Sequence, residues 1–189
     1  MVIQMKSWYK ILKHFGITIK DFFWFMDSNE LKSRSVIKYL RSNLDKTMTL
    51  VNSKKLPYWK DKRNPDDMVM MAYKWVCDNI EYKSDILNFG RPELWEDVDI
   101  IIDREVADCE SLATLTYCLA RIHNVNPLML YFCVGKMKNG EGHAWLEYYS
   151  ELDDDWYIVD PAYAPNLYRF RKVNKDNRYI ERWYRTTFI

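Results

Sequence analysis

Apolar residues recur every three or four positions up to about residue 124 and alternate after Pro127, so the chain is predicted to be helical first and stranded later. Trp8, Ile11, Leu12 and Phe15 fall at i, i+3, i+4 and i+7, which predicts a short amphipathic helix. Asp27-Ser28-Asn29-Glu30 reads as a capping box that starts a second helix, with Leu31, Val36, Tyr39 and Leu40 on its apolar face. Residues 52–64 are polar, contain Pro57, and read as a linker. Asn64-Pro65-Asp66-Asp67 is a strong helix start, with a capping side chain, proline at the first helical position and acids in the first turn. Val69, Ala72, Tyr73, Val76, Cys77 and Ile80 continue that helix on one face. Residues 82–105 show no clear period. From Cys109, the positions Leu112, Ala113, Thr116, Leu119 and Ala120 form another stripe, and this helix should end near His123-Asn124.

After Pro127 the run 128–134 is strand-like. Residues 143–149 and 156–160 alternate, separated by an acidic turn at 151–155, and Lys175-Asp176-Asn177 is expected to turn a last hairpin. Helices followed by antiparallel strands predict an α+β fold, with residues 1–60 as a helical N-terminal extension packed on a core domain at 61–189.

Composition narrows the functional classes. Basic and acidic residues number 28 and 27, so nothing demands nucleic acid or an anionic membrane as partner. Aromatics at 16% argue for a packed domain and against disorder. The first twenty residues are interrupted by Lys6, Lys10, Lys13 and His14, so no signal peptide is expected. The longest apolar run, residues 128–134, falls far short of the roughly 20 residues needed to cross a bilayer. Four cysteines without a secretion signal are expected to be reduced thiols in a cytosol-like compartment. No Cys-x-x-Cys or His-x-x-x-His spacing exists, and the acidic turn lacks the glycine and spacing of a calcium loop, so neither metal nor cofactor is expected.

The residues with the most chemical content are Cys109, His143 and Asp160. Cys109 falls in the first turn of its helix, where unpaired N–H groups and the helix dipole favour a thiolate. The flanking Asp108 and Glu110 push the other way, which gives a histidinium partner more to do. The Cys109 amide could also serve as one oxyanion donor. Alternation puts His143, Trp145 and Glu147 on one strand face. A tight turn then sets Tyr148 opposite Asp155, Trp145 opposite Ile158, and His143 opposite Asp160 on the same face. Asp160 would fix the tautomer of that imidazole. Cys77, Cys118 and Cys133 lie in apolar patterns and read as core, while His14 and His123 read as surface or helix-end residues.

Asn79-Ile80-Glu81-Tyr82, Trp95, Ala107-Asp108-Cys109-Glu110, His143-Ala144-Trp145 and Trp156 through Asp160-Pro161 together resemble the transglutaminase-like superfamily of papain-type cysteine enzymes, especially its bacterial and phage peptidase-like members. The resemblance covers roughly residues 66–163, and Ala107 stands where the family usually has glycine. It implies a papain/transglutaminase-like core in which the nucleophile helix packs on an antiparallel sheet, with extra N-terminal helices. It implies Cys109 as nucleophile, His143 as base and Asp160 as its orienter, with Trp95, Asp108 and Trp145 in the substrate or oxyanion neighbourhood. The expected activity is acyl transfer on a protein or peptide amide through a thioester, to water or to an amine. The alternative is a non-catalytic structural or assembly protein, for example of phage type, that retains the fold. The N-terminal helices and the tail after residue 166, with seven Lys and Arg against two acids, could then dock a protein partner. In its plainer reading the tail is a solvated strand surface.

Overall fold

The computed structural model describes residues 19–60, 64–84, 95–163 and 170–188. The chain divides into two compact units, Met1–Val36 and Ile37–Ile189. The helix expected at residues 8–15 lies outside the described residues. Helix α1, Ile19–Asn52, runs through the capping box at 27–30 instead of starting there. Residues 17–56 contain neither proline nor glycine, so nothing interrupts a helix that begins earlier.

Helix α2, Pro65–Asn79, starts as its sequence predicts: the Asn64 side chain accepts from the Asp67 amide at 2.8 Å, and Asp66 and Asp67 occupy the first turn. It leads into a two-residue strand, β1, Glu81–Tyr82. A short helix α3, Val98–Arg104, lies in the stretch that showed no period. Its capping residue Asp97 makes no side-chain cap bond; Asn43 of α1 supplies one instead, accepting from the Val98 amide at 2.8 Å. No local pattern could have revealed that long-range cap. Glu105, at φ 56°, ends α3 and turns the chain into β2, Val106–Ala107, which pairs in parallel with β1.

Helix α4, Cys109–Ile122, follows at once and is buried on every side, from Glu110 to Ala120. It ends at His123 as expected, but that ring is buried. His123 Nε2 accepts from the Trp59 amide at 3.0 Å, so the expected linker is tied to the core, and Leu56 within it is buried too.

Strands β3 (Leu130–Met137), β4 (Gly142–Ser150), β5 (Asp155–Val159), β6 (Arg171–Lys172) and β7 (Tyr179–Thr186) form one antiparallel sheet in the order β6-β5-β4-β3-β7. The expected last hairpin does not form. β6 and β7 lie on opposite edges of the sheet, and β7 pairs with β3. Close approach of β7 needs Gly135, where an added Cβ would sit 1.9 Å from the Glu181 carbonyl oxygen. Helix α4 packs on β4 and β3 and against α2. The face of the sheet that carries Trp145 holds its own apolar cluster of Cys133, Met137, Trp145, Ile158 and Tyr179. The architecture is the expected α+β one, a central helix packed on an antiparallel sheet.

Candidate thiol site

Cys109 is the first residue of α4. The preceding Asp108 caps the helix in an extended conformation, and its carboxylate accepts from the Ser111 amide at 3.1 Å. Ala107 belongs to β2 and pairs with Tyr82. Among the described non-glycine residues only Lys54, Glu105, Asn124 and Asp154 have positive φ, so alanine is unstrained where glycine is usual. Parallel pairing of β1 with β2 thus delivers the chain into α4 with the thiol at its first turn.

His143 lies one residue inside β4, buried, and its Nε2 lies 2.8 Å from Asp160 Oδ2. Asp160 follows the last residue of β5. The pairing register differs from expectation by two residues: Tyr148 faces Tyr157 and Ser150 faces Asp155, so the connecting turn has four residues. Asp160 therefore continues opposite Trp145 and meets His143 on the diagonal. A shift of two preserves the face, so the two side chains still meet. Asp160 is further held by donors outside that pair. The Tyr179 hydroxyl donates to Oδ2 at 2.5 Å, and the Ala162 amide donates to Oδ1 at 3.0 Å. With a phenol and an amide already donating, the carboxylate is the acceptor and Nε2–H the donor. This leaves Nδ1 as the lone-pair nitrogen.

Burial pushes the Cys109 thiol well above its ordinary range, and the Glu110 and Asp108 charges add to the rise; the Ala144 backbone beside the sulfur pulls the other way. The thiol donates to Glu110 Oε2 at 3.1 Å. Desolvation and the two adjacent acids thus act against the thiolate that the helix N-terminus favours. Ala144 follows His143 in β4, so the sulfur lies against the backbone next to the imidazole. Tyr82 and Tyr163, both exposed, border this place. Burial pushes the Tyr82 phenol up to about 12, with the neighbouring Cys109 and Tyr163 contributing next. The Tyr163 ring meets the His143 ring edge-on at 5.1 Å. Beneath the imidazole, Trp145 is fully buried and nearly parallel to it, at 6.3 Å and 12°.

A family model, the transglutaminase-like superfamily, matches residues 57–161. The chain belongs to the transglutaminase-like superfamily. Among solved structures it is similar to LapG of Legionella pneumophila, with a TM-score of 0.56 at 14% identity over 85% of this chain and 82% of that one. A calcium-bound structure of Legionella pneumophila LapG is similar with a TM-score of 0.53, at 14% identity over 82% and 80% of the two chains. None of the curated proteins matches the chain.

The transglutaminase-like match takes in Cys109, His143 and Asp160 and stops short of Tyr179. Trp95, expected near the site by resemblance, is half-buried and packs its ring on Tyr39 of α1 and Phe132 of β3, at 5.1 and 6.0 Å. Tyr179, Tyr163 and the acceptor role of Glu110 were not anticipated, and Tyr82 was read only as part of a motif, with no place at the site. Tyr179 reaches Asp160 through an edge-to-edge chain path, and Tyr163 lies past the last motif; neither carries a local signal. All four cysteines are free thiols. Cys118 and Cys133 are core as expected, but Cys77 is only partly buried and lies 3.9 Å from the Pro161 carbonyl oxygen. Among the described residues no group of His, Cys, Asp and Glu side chains is arranged to hold a metal ion. No described helix is long and apolar enough to cross a membrane.

Proposed function

We propose that the protein is a thiol-dependent acyl-transfer enzyme acting on a protein or peptide amide. The observation that carries this reading is the buried His143–Asp160 hydrogen bond set one residue from the backbone against which the Cys109 sulfur lies. With Nε2 committed to Asp160, His143 Nδ1 is the nitrogen left to take the thiol proton. The sulfur attacks the carbonyl carbon, and the tetrahedral intermediate collapses as the C–N bond breaks. The imidazolium returns its proton to the departing amine, leaving a thioester. Water then gives hydrolysis, and an amine gives transamidation.

One observation favours the second reading, a non-catalytic protein that retains the fold: the thiol donates to Glu110, and burial acts against its ionisation. Alkylation by iodoacetamide, read at each cysteine by mass spectrometry between pH 6 and 9, separates the two. The acyl-transfer reading expects Cys109 to react at least about tenfold faster than Cys118 and Cys133, with that advantage lost in His143→Ala. A Cys109 rate no higher than those of the two core thiols, and unchanged in His143→Ala, would overturn it.

A further inference from the structure

Arg178 stands immediately before β7, beyond the residues 57–161 that match the family. Its backbone and its side chain are both held. The Arg178 carbonyl oxygen accepts from the Lys138 amide at 2.7 Å, which ties it to the turn between β3 and β4. Its own amide donates to Asp176 Oδ1 at 3.1 Å. The guanidinium then meets the same buried carboxylate through two bonds, with Nε 2.9 Å from Oδ1 and Nη2 2.6 Å from Oδ2. A two-pronged pair of this kind sets the plane of the guanidinium as well as its position.

The guanidinium so fixed lies over two tyrosine rings. Its Cζ is 5.2 Å from the centre of Tyr179 and 5.6 Å from that of Tyr163, both within reach of a cation–π contact. Each ring goes on to meet a different member of the buried His143–Asp160 pair. The Tyr179 hydroxyl donates to Asp160 Oδ2 at 2.5 Å, and the Tyr163 ring meets the imidazole edge-on at 5.1 Å. Tyr163 is 42% exposed, so burial alone does not fix its ring. The charge of Arg178 acts as well. Burial and Asp160 push the Tyr179 phenol up, and Arg178 pulls it back, which makes the hydroxyl a better donor to the carboxylate. That positive charge is matched by Asp176, so the charge on Asp160 is still left for His143 to balance.

We propose that Arg178 is a positioning residue of the thiol site. Held in plane by Asp176, it keeps Tyr179 on the carboxylate and Tyr163 against the imidazole, and through them it sets the orientation in which His143 Nδ1 can take the thiol proton. The purpose of this arrangement rests on the acyl-transfer reading. Its structural consequence, a firmly held His143 Nε2–H, can be read without turnover.

The test follows that proton by nitrogen-resolved NMR of the full chain, beside the p-nitrophenolate burst from an activated ester. Arg178→Lys keeps the charge and the pairing with Asp176 but lacks the flat fork. The expected result is Nε2–H exchange with water about tenfold faster than in the parent, a burst about fivefold slower, and an unchanged urea midpoint. Asp176→Asn leaves the guanidinium but weakens its anchor, and should speed the exchange about threefold. Arg185→Lys makes the same chemical change at the arginine stacked on Tyr131 and Trp156, and should alter neither readout. An exchange rate within twofold of the parent in Arg178→Lys, an equal acceleration in Arg185→Lys, or no protected Nε2–H in the parent overturns the proposal. Should Arg178→Lys not fold, Asp176→Asn decides, and an unchanged exchange rate there overturns it. Faster exchange in Arg178→Lys alone, with no burst from the parent, keeps the positioning role and sinks the acyl-transfer reading.

Discussion

Asp160 and Glu147 are two buried carboxylates on the same face of the sheet, 4% and 3% exposed, and they are balanced in opposite ways. Glu147 accepts from Arg182 Nε at 2.5 Å and Arg185 Nε at 2.8 Å, with Trp145 Nε1 at 3.4 Å. Arg185 is itself held against Tyr131 and Trp156, 3.8 and 4.1 Å from the ring centres. The counter-charges of Glu147 are permanent, because a guanidinium does not titrate in a protein. Asp160 accepts from an amide, a phenol and an imidazole, and only the imidazole can become charged. The first arrangement is finished electrostatically. The second leaves a negative charge that a proton on His143 would balance, as the proposed general-base role requires. The tail keeps a largely exposed strand surface, as expected, but its basic residues are paired: Arg182, Arg185, Arg178 and Lys172 are all in ion pairs.

The comparison breaks most visibly at Asp160. Asp160→Asn should lower acylation of Cys109 by an activated ester, read as a p-nitrophenolate burst, by about 10²–10⁴-fold, with little change in urea stability. A burst within twofold of the parent would mean that Asp160 is as structural as Glu147. Glu147→Gln should do the converse. It leaves two guanidiniums without their anion, and because both are about one-third exposed the cost should fall near 2–3 kcal/mol in urea denaturation, with the burst rate unchanged. Tyr179→Phe sharpens the contrast. Removing one donor leaves the Asp160 charge less compensated, so the imidazole should hold its proton more tightly and the acid limb of the acylation profile should move up by roughly half to one pH unit. An unmoved limb would show that the phenol does not act through Asp160.

The last prediction concerns neither acid. Burial pushes Cys77 up to about 11 and Cys118 up to about 12, with Cys109 and Cys133 also raised. An unfolded chain releases these protons near pH ~8.5, while the folded one keeps them. Stability contributed by the thiols is therefore complete below that pH and declines as pH rises through it. Thermal melts should fall between pH about 8.5 and 10, and Cys77→Ser should flatten that slope slightly. A melting temperature constant over the window would contradict the raised thiols.

What was legible in the sequence depended on range. The start of α2 was readable because Asn64, Pro65 and Asp67 act within one turn. The meeting of His143 with Asp160 was readable although the register was not, because a four-residue turn with Asp154 at φ 51° moves the partner by two positions and keeps the face. The capping box at 27–30 misled because a start signal has no force inside a helix already under way. The edge positions of β6 and β7, and with them Tyr179 on Asp160, depend on pairing with β5 and β3 far away in the sequence. Nothing in residues 171–186 names those partners.

Asp108 has a consequence of another kind. Helix ends open and close faster than helix centres, and amide exchange reports that breathing. The thiol occupies the first residue of α4, where such fraying would carry it out of register with β4, and the Asp108 carboxylate pins that turn through the Ser111 amide. The exchange rate of this single amide is therefore a clock for how often the thiol leaves its place.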